Sequence, residues 1–205
     1  MNKILCLIIS LIPFQIIKSF FFKSIGYKLN NSKILFFVIF KNTNVEINNS
    51  TIKSFNIILY YKININNTII SNFNYVKNLS CLIITNSKLK KFNRVTSGTK
   101  NKTKNNTLDI NNSEIGDSNY LDASTDILIY QSKINDCCQI WTHEFDVLRK
   151  IKYGKVLIKN NVVVNNFVII LPNVEIQNNI CIYQSTIVHK SINESGNYHS
   201  ILVSK

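Results

Sequence analysis

The sequence predicts an all-β chain, a parallel β-helix preceded by a short helical segment, and three observations carry that prediction. Towards the C-terminus aliphatic residues recur every six positions: Ile158, Val164, Ile170, Ile176, Ile182 and Val188 form one series, with Val156, Val162, Val168, Val174, Ile180 and Thr186 two residues ahead of them. Asn-rich pairs, Asn160-Asn161, Asn165-Asn166, Pro172-Asn173 and Asn178-Asn179, punctuate the repeat. The chain also opens on one strongly apolar run, Ile4 to Phe22. Residues i and i−2 of a strand share a face, so each hexad is a short strand with two inward side chains followed by a turn. An antiparallel meander with Asn-Asn hairpins competes, but its strands would be about four residues long, below the usual five to six. Three such strands per coil stack like positions on one another, which accounts for the fixed period and the β-branched inward slots.

Taken in order, residues 1–28 form a helical lead-in, 29–192 the β-helix and 193–205 a C-terminal tail. Lys3 and Ile4 to Ile12 imitate the charged and apolar parts of a secretory signal, yet no small-x-small cleavage site follows. Pro13, Gln15 and Lys18 interrupt the run short of the length that spans a bilayer, which predicts a helix bent near Pro13 and docked on the domain. Peripheral contact of residues 4–22 with a membrane surface is compatible with that docking. Upstream pairs such as Val45/Ile47, Ile63/Ile65, Leu82/Ile84 and Ile127/Ile129 look like isolated hexads. Steps of five, from Ile110 to Ile115 and from Ile129 to Ile134, break the phase, so the first half reads as an irregular β-helix. Two polar excursions interrupt the coils, a loop at 97–107 without an apolar residue and a segment at 144–155 that mixes aromatic, acidic and basic residues.

The composition is skewed along the whole chain: 32 Asn, 35 Ile and 22 Lys stand against two Arg and five Gly in 205 residues. That pattern reads as the codon usage of an A+T-rich genome, and it discounts the net charge of +13 as a sign of nucleic-acid binding. Readers of phosphate and bases rely on the planar fork of Arg, and only Arg94 and Arg149 are present. The five Cys (Cys6, Cys81, Cys137, Cys138, Cys181) are odd in number and lack CxxC spacing, which argues against a disulfide framework or a zinc site. They read as small core hydrophobes in a reducing compartment, with Cys137 and Cys138 on opposite faces of one strand.

Gly154-Lys155-Val156-Leu157-Ile158, Val162-Val163-Val164, Ile170 to Ile176 and Val188-His189-Lys190-Ser191-Ile192 resemble the closing coils of hexapeptide-repeat acyltransferases. Leu11-Ile12-Pro13-Phe14 with Gly26-Tyr27-Lys28 is similar to the helical lead-in of the sugar O-acyltransferases in that family. The resemblance implies a left-handed parallel β-helix, a homotrimer, and acetyl-CoA as acyl donor lying along the coils between subunits. In the family Gly follows the aliphatic residue; here those slots hold Lys159, Asn165, Gln177, Tyr183 and His189, which puts side chains where left-handed backbone is expected.

The same resemblance points to a site. His143, in Trp141-Thr142-His143, stands where a coil opens into the 144–155 excursion, and a Thr-His at this location supplies the family's general base. Imidazole suits the task, since taking a proton from an attacking hydroxyl needs a base that works near neutrality. An acceptor must hold its other ring nitrogen. Asp122 and Asp126 precede His143 by 21 and 17 residues, close to one coil of three hexads, and Asp146 could reach it through the loop. Tyr120-Leu121-Asp122-Ala123-Ser124 also resembles a family segment, which favours Asp122. Trp141, Thr142 and Asp146 are the expected substrate-binding side chains. Lys190 and Lys205 match basic positions near the coenzyme's phosphates in relatives. No metal is expected, because His143, His189 and His199 lack the spacing of a three-His zinc site. The implied function is O-acetyl transfer from acetyl-CoA to a hydroxyl of a sugar or polysaccharide precursor, in the cytoplasm or at the inner face of its membrane. The alternative is a β-helix scaffold that has lost catalysis with its glycines.

Overall fold

The computed structural model describes residues 3–40, 44–97 and 106–199. Over them the chain winds as a left-handed parallel β-helix of about eight coils. Two helices, α1 (Lys3–Ser10) and α2 (Gln15–Ser24), close its N-terminal end, with Pro13 in the break between them. No helix among the described residues is long and apolar enough to cross a membrane.

Each coil has three faces. A first face stacks, among others, Asn44–Asn48, Thr107–Asn111, Ile127–Tyr130 and Val156–Ile158; a second stacks Thr51–Ile52, Glu114–Ile115, Lys133–Ile134 and Val162–Val164; a third stacks Arg94–Thr96, Tyr120–Asp122, Gln139–Trp141 and Ile169–Ile170. The long strands Ile57–Asn66 and Tyr75–Thr85 run round the corner from the third face to the first. Neighbouring coils pair in parallel and in register, so that Ile63, Leu82, Leu108, Ile127 and Val156 form one inward column. All twelve positions of the C-terminal hexads are buried, as the periodicity predicts. Burial of each aliphatic side chain contributes about 1.5–3 kcal/mol before the cost of ordering the chain.

The described part of the first half keeps the β-helix, with a register shift between Leu59 and Tyr60 and unequal coil lengths. Its steps of five arise at the corner between the first and second faces, where Asn48-Asn49-Ser50 turns in one residue fewer than Lys159 to Val162. A hydroxyl then fills the inward slot that Val162 takes later: Ser50 Oγ donates to Asn48 O at 2.7 Å and accepts from Thr68 N in the next coil at 3.0 Å. The relay continues through Ser113 to Ser132, whose Oγ accepts from Val162 N at 2.9 Å. A second relay of buried Asn side chains runs through Asn56, Asn74, Asn93 and Asn119, each Oδ1 accepting the backbone N–H of the residue stacked on it at 2.7–3.0 Å.

The left-handed backbone also falls elsewhere than the glycine slots suggest. Lys159, Asn165, Gln177, Tyr183 and His189 keep negative φ; the positive values lie at the corners, at Asn49, Asn67, Asn161 and Asn179 on one and at Phe37, Phe55, Phe73, Phe92 and Phe167 on another. Asn tolerates that state through local hydrogen bonding. The Phe residues accept it with their rings stacked, Phe37 on Phe55 on Phe73 on Phe92, at 4.9–5.1 Å and within 8° of parallel.

Cys137 lies in a turn with φ 59° and is exposed, while Cys138 is buried, so the pair spans a corner and not a strand. Of the 97–107 loop, residues 98–105 lie outside the described residues. Within the 193–205 tail, Gly196–Tyr198 pairs with Ile180–Ile182 and extends the second face.

The helical cap docks on the first coil. Cys6 Sγ accepts from Phe40 N at 3.2 Å, and Phe22, Tyr27 and Phe40 form an aromatic cluster beneath it. Lys18 turns inward, where its Nζ donates to Ile34 O at 3.0 Å and lies 4.6 Å over the Phe36 ring.

Candidate active site

Both polar excursions leave the corner between the third and first faces. In one coil the chain passes this corner as Asp122-Ala123-Ser124-Thr125-Asp126. In the next it leaves after Trp141 as an antiparallel hairpin, His143–Phe145 against Ile151–Tyr153, and rejoins the helix at Val156. The neck is pinched by Gly154 N, which donates to Thr142 O at 2.9 Å. Only glycine fits there, since a Cβ would meet Asn173 N at 2.4 Å.

The geometry chooses among the three carboxylates. Asp122, fully buried, meets His143 Nδ1 through Oδ2. Its Oδ1 accepts from Ser124 Oγ at 2.7 Å, and the same hydroxyl lies 3.3 Å from His143 Nδ1. Asp126 instead accepts from Thr107 N at 2.8 Å, one coil away. Asp146 caps the hairpin tip, accepting from the backbone N–H groups of Leu148 and Lys150 at 2.9 and 2.8 Å. That position corrects its expected place beside the histidine.

Thr142 corrects a second expectation. It is fully buried, and its hydroxyl donates to Asp122 O at 2.6 Å while accepting from Thr125 N at 2.9 Å. It therefore ties the His143 coil to the Asp122 coil and offers no surface to an acceptor. Trp141 does reach the surface side. Its ring lies 5.0 Å from Tyr120 and 6.1 Å from the imidazole. Phe145 and Tyr153 complete an aromatic frame around His143 at 6.1 and 6.3 Å. The imidazole is 15 % exposed within that frame, so one edge remains accessible.

Lys190 is exposed at the same corner. Ile140 stacks on Ile170 and Ile170 on Val188, which puts Lys190 two coils from Thr142, roughly 10 Å along the axis. Lys205 lies outside the described residues. Among the described residues no group of three His, Cys, Asp or Glu side chains is placed to hold a metal ion.

Sequence reasoning missed Ser124, Phe145 and Tyr153. Ser124 precedes His143 by 19 residues, the pitch of the coil between Asn119 and Cys138, so its place in the Tyr120–Ser124 segment and the stacking distance together could have found it. Tyr153 depends on the hairpin register, which no local motif announces.

No family model and no curated protein sequence matches the chain. Among solved structures, a point mutant of AntD, an N-acyltransferase from Bacillus cereus in complex with dTDP and coenzyme A, matches with a TM-score of 0.51 at 18 % identity. The match covers 89 % of this chain and 84 % of that one. The polySia specific acetyltransferase NeuO matches with a TM-score of 0.43 at 16 % identity, over 85 % of this chain and 80 % of that one. The first likeness establishes the fold and, at that identity, the fold alone; the second, with its lower score, carries no argument.

Proposed function

We propose that the chain is an acyl-CoA-dependent O-acetyltransferase that acylates a hydroxyl of a sugar or polysaccharide precursor, with His143 as general base. The observation that carries this reading is the Asp122–His143 pair, braced by Ser124 and half-enclosed by aromatic rings at a corner where the helix opens into a hairpin. Nδ1–H donates to Asp122, which leaves Nε2 as the basic atom on the accessible edge. The acceptor hydroxyl attacks the thioester carbonyl carbon as Nε2 takes its proton. The tetrahedral intermediate then collapses, the carbon–sulfur bond breaks, and the coenzyme thiolate takes the proton back from the imidazolium. Fixing the imidazole by a buried carboxylate supplies orientation and stabilises its charged form.

AntD holds coenzyme A on this same fold, which supports acetyl-CoA as donor. Lys190, at the corner of His143 and on the C-terminal side of it, is a described cation suited to the coenzyme's phosphates. We read the working form as a homotrimer with the coenzyme between subunits, and the compartment as the cytoplasm. A glycan acceptor is supported by the outward row next to the site. Tyr75, Arg94 and Tyr120 stack in successive coils, with the Arg94 guanidinium 5.9 Å from the Tyr120 ring and Trp141 beyond it. Aromatic rings pack on the C–H faces of sugars, and the Arg fork suits a carboxylate.

The test is thermal unfolding of the wild type and of His143→Ala with and without acetyl-CoA, followed by thiol release in the presence of sugar acceptors. Binding to the native state raises the unfolding temperature, so acetyl-CoA is expected to stabilise both proteins, while only the wild type releases thiol. A folded protein that shows no shift at millimolar acetyl-CoA would overturn the reading in favour of a scaffold.

A further inference from the structure

The helical cap turns much of its apolar surface outward. α2 buries Lys18 and Phe22, keeps Lys23 in solvent, and exposes Ile16 at 86 % and Phe20 at 68 %. α1 buries Cys6, Ile9 and Ser10 and exposes Ile4 at 64 % and Ile8 at 56 %, while Phe14 between the helices is 67 % exposed. In all, nine large apolar side chains of residues 4–21 face outward. A helix lying on a water-facing surface keeps its large apolar side chains inward and presents a polar or charged outer face. Contiguous apolar surface of this kind marks an interaction site.

The charge around it narrows the occupant. No Asp or Glu occurs before Glu46, whereas Lys3, Lys18, Lys23, Lys28, Lys33 and Lys41 all lie in that stretch. Lys23 on α2, and Lys28 and Lys33 on the two strands of the first coil that α2 packs against, are exposed. Pairing two caps head to head would bring these cations together with no acid to answer them. An anionic lipid surface answers both features at once: apolar side chains enter the boundary between headgroups and acyl chains, and each lysine near the surface adds about 1 kcal/mol. Helices of 8 and 10 residues are too short to span and suited to lying flat.

We propose that the α1–α2 cap seats the protein on an anionic phospholipid bilayer, with Ile4, Ile8, Phe14, Ile16 and Phe20 in the interface and the β-helix standing off it. The buried Lys18 is part of the device, because its bonds to the first coil fix α2 with the apolar side outward. This inference does not depend on the acetyltransferase reading.

The experiment is co-sedimentation of the full chain with vesicles of phosphatidylcholine, alone and mixed with phosphatidylglycerol, alongside Ile16→Glu/Phe20→Glu. Both positions are exposed, so the variant is expected to keep the wild-type unfolding temperature while its partitioning into the mixed vesicles falls at least about tenfold. Added salt is expected to weaken wild-type binding as the lysine attraction is screened. The proposal is overturned if the wild type fails to sediment with the mixed vesicles, if it binds pure phosphatidylcholine equally well, or if the variant binds like the wild type. It is equally overturned if size-exclusion chromatography without lipid finds an oligomer, dimer or trimer, that the double substitution dissolves, because the face would then belong to other copies of the chain.

Discussion

The coils before His143 and those after it share pitch, register and handedness, yet they are filled by different chemistry. After the hairpin, the inward slots are aliphatic, as in Val162/Val164 and Ile180/Ile182, until Thr186 takes the first slot ahead of Val188. Before it, the first inward slot is polar on two of the three faces: Asn56, Asn74, Asn93 and Asn119 on one, Ser50, Thr68, Ser87, Ser113 and Ser132 on the other. Aliphatic stacking is non-directional and tolerates sliding. A buried Asn that accepts a backbone N–H from the next coil specifies one register, because a slip of one residue leaves the donor orphaned. The two fillings meet at the candidate site. Asn119 passes its last bond to Cys138 N and Ser132 passes its last to Val162 N, on either side of the hairpin that carries His143. The insertion interrupts the stack where directional bonds have fixed the coils beneath it, and Asp122 and Ser124 belong to that fixed part.

The largest expected effect tests this junction. Asp122→Asn keeps the shape of the buried side chain but removes the charge that holds the imidazole tautomer and stabilises its protonated form. Turnover should fall by about 10²–10⁴-fold while acetyl-CoA still shifts the unfolding temperature. A loss of less than about threefold would detach catalysis from the pair. Next in size is a break in the polar half. Asn93→Ala removes the acceptor of Asn119 N at 2.9 Å and the donor to Gly116 O at 2.8 Å, two buried groups that each cost about 1–3 kcal/mol when orphaned. Ile170→Val in the aliphatic half should cost only about 0.5–1.5 kcal/mol. Denaturant unfolding of the two variants measures the contrast directly, and equal losses would mean that the relay adds nothing beyond packing.

The same contrast explains what could be read from the sequence. Hexads of Val and Ile are legible because hydrophobic periodicity reports them, and Asp122 with His143 is legible because a motif and a coil length coincide. The polar half was hidden by its own composition. Asn56, Asn74, Asn93 and Asn119 repeat at intervals of 18, 19 and 26, yet in a chain with 32 Asn they pass for codon bias. Ser50 and Thr68 hide in the same way, because a hydroxyl in an inward slot breaks an apolar pattern while preserving the backbone path. The glycine slots misled for a different reason: positive φ falls at Asn161 and Asn179, where the corner bends, and not at Lys159 or Gln177 directly after the strand.

The smallest expected effect concerns the outer corner of the polar half, where Phe73 holds φ 62° between Phe55 at 5.0 Å and Phe92 at 5.1 Å. Left-handed backbone costs an ordinary side chain about 1–2 kcal/mol. Two ring stacks recover about 0.5–1.5 kcal/mol each, and the ring is 45 % exposed, so burial adds only part of its full value. Asn takes the same backbone state on the neighbouring corner, at Asn67 and Asn86, without strain. Phe73→Asn therefore exchanges stacking for relief of strain and should change stability by no more than about 1 kcal/mol. If denaturant unfolding instead gave a loss larger than that of Asn93→Ala, the register of the first coils would be held from outside by the ring stack, and the buried Asn relay would be following it.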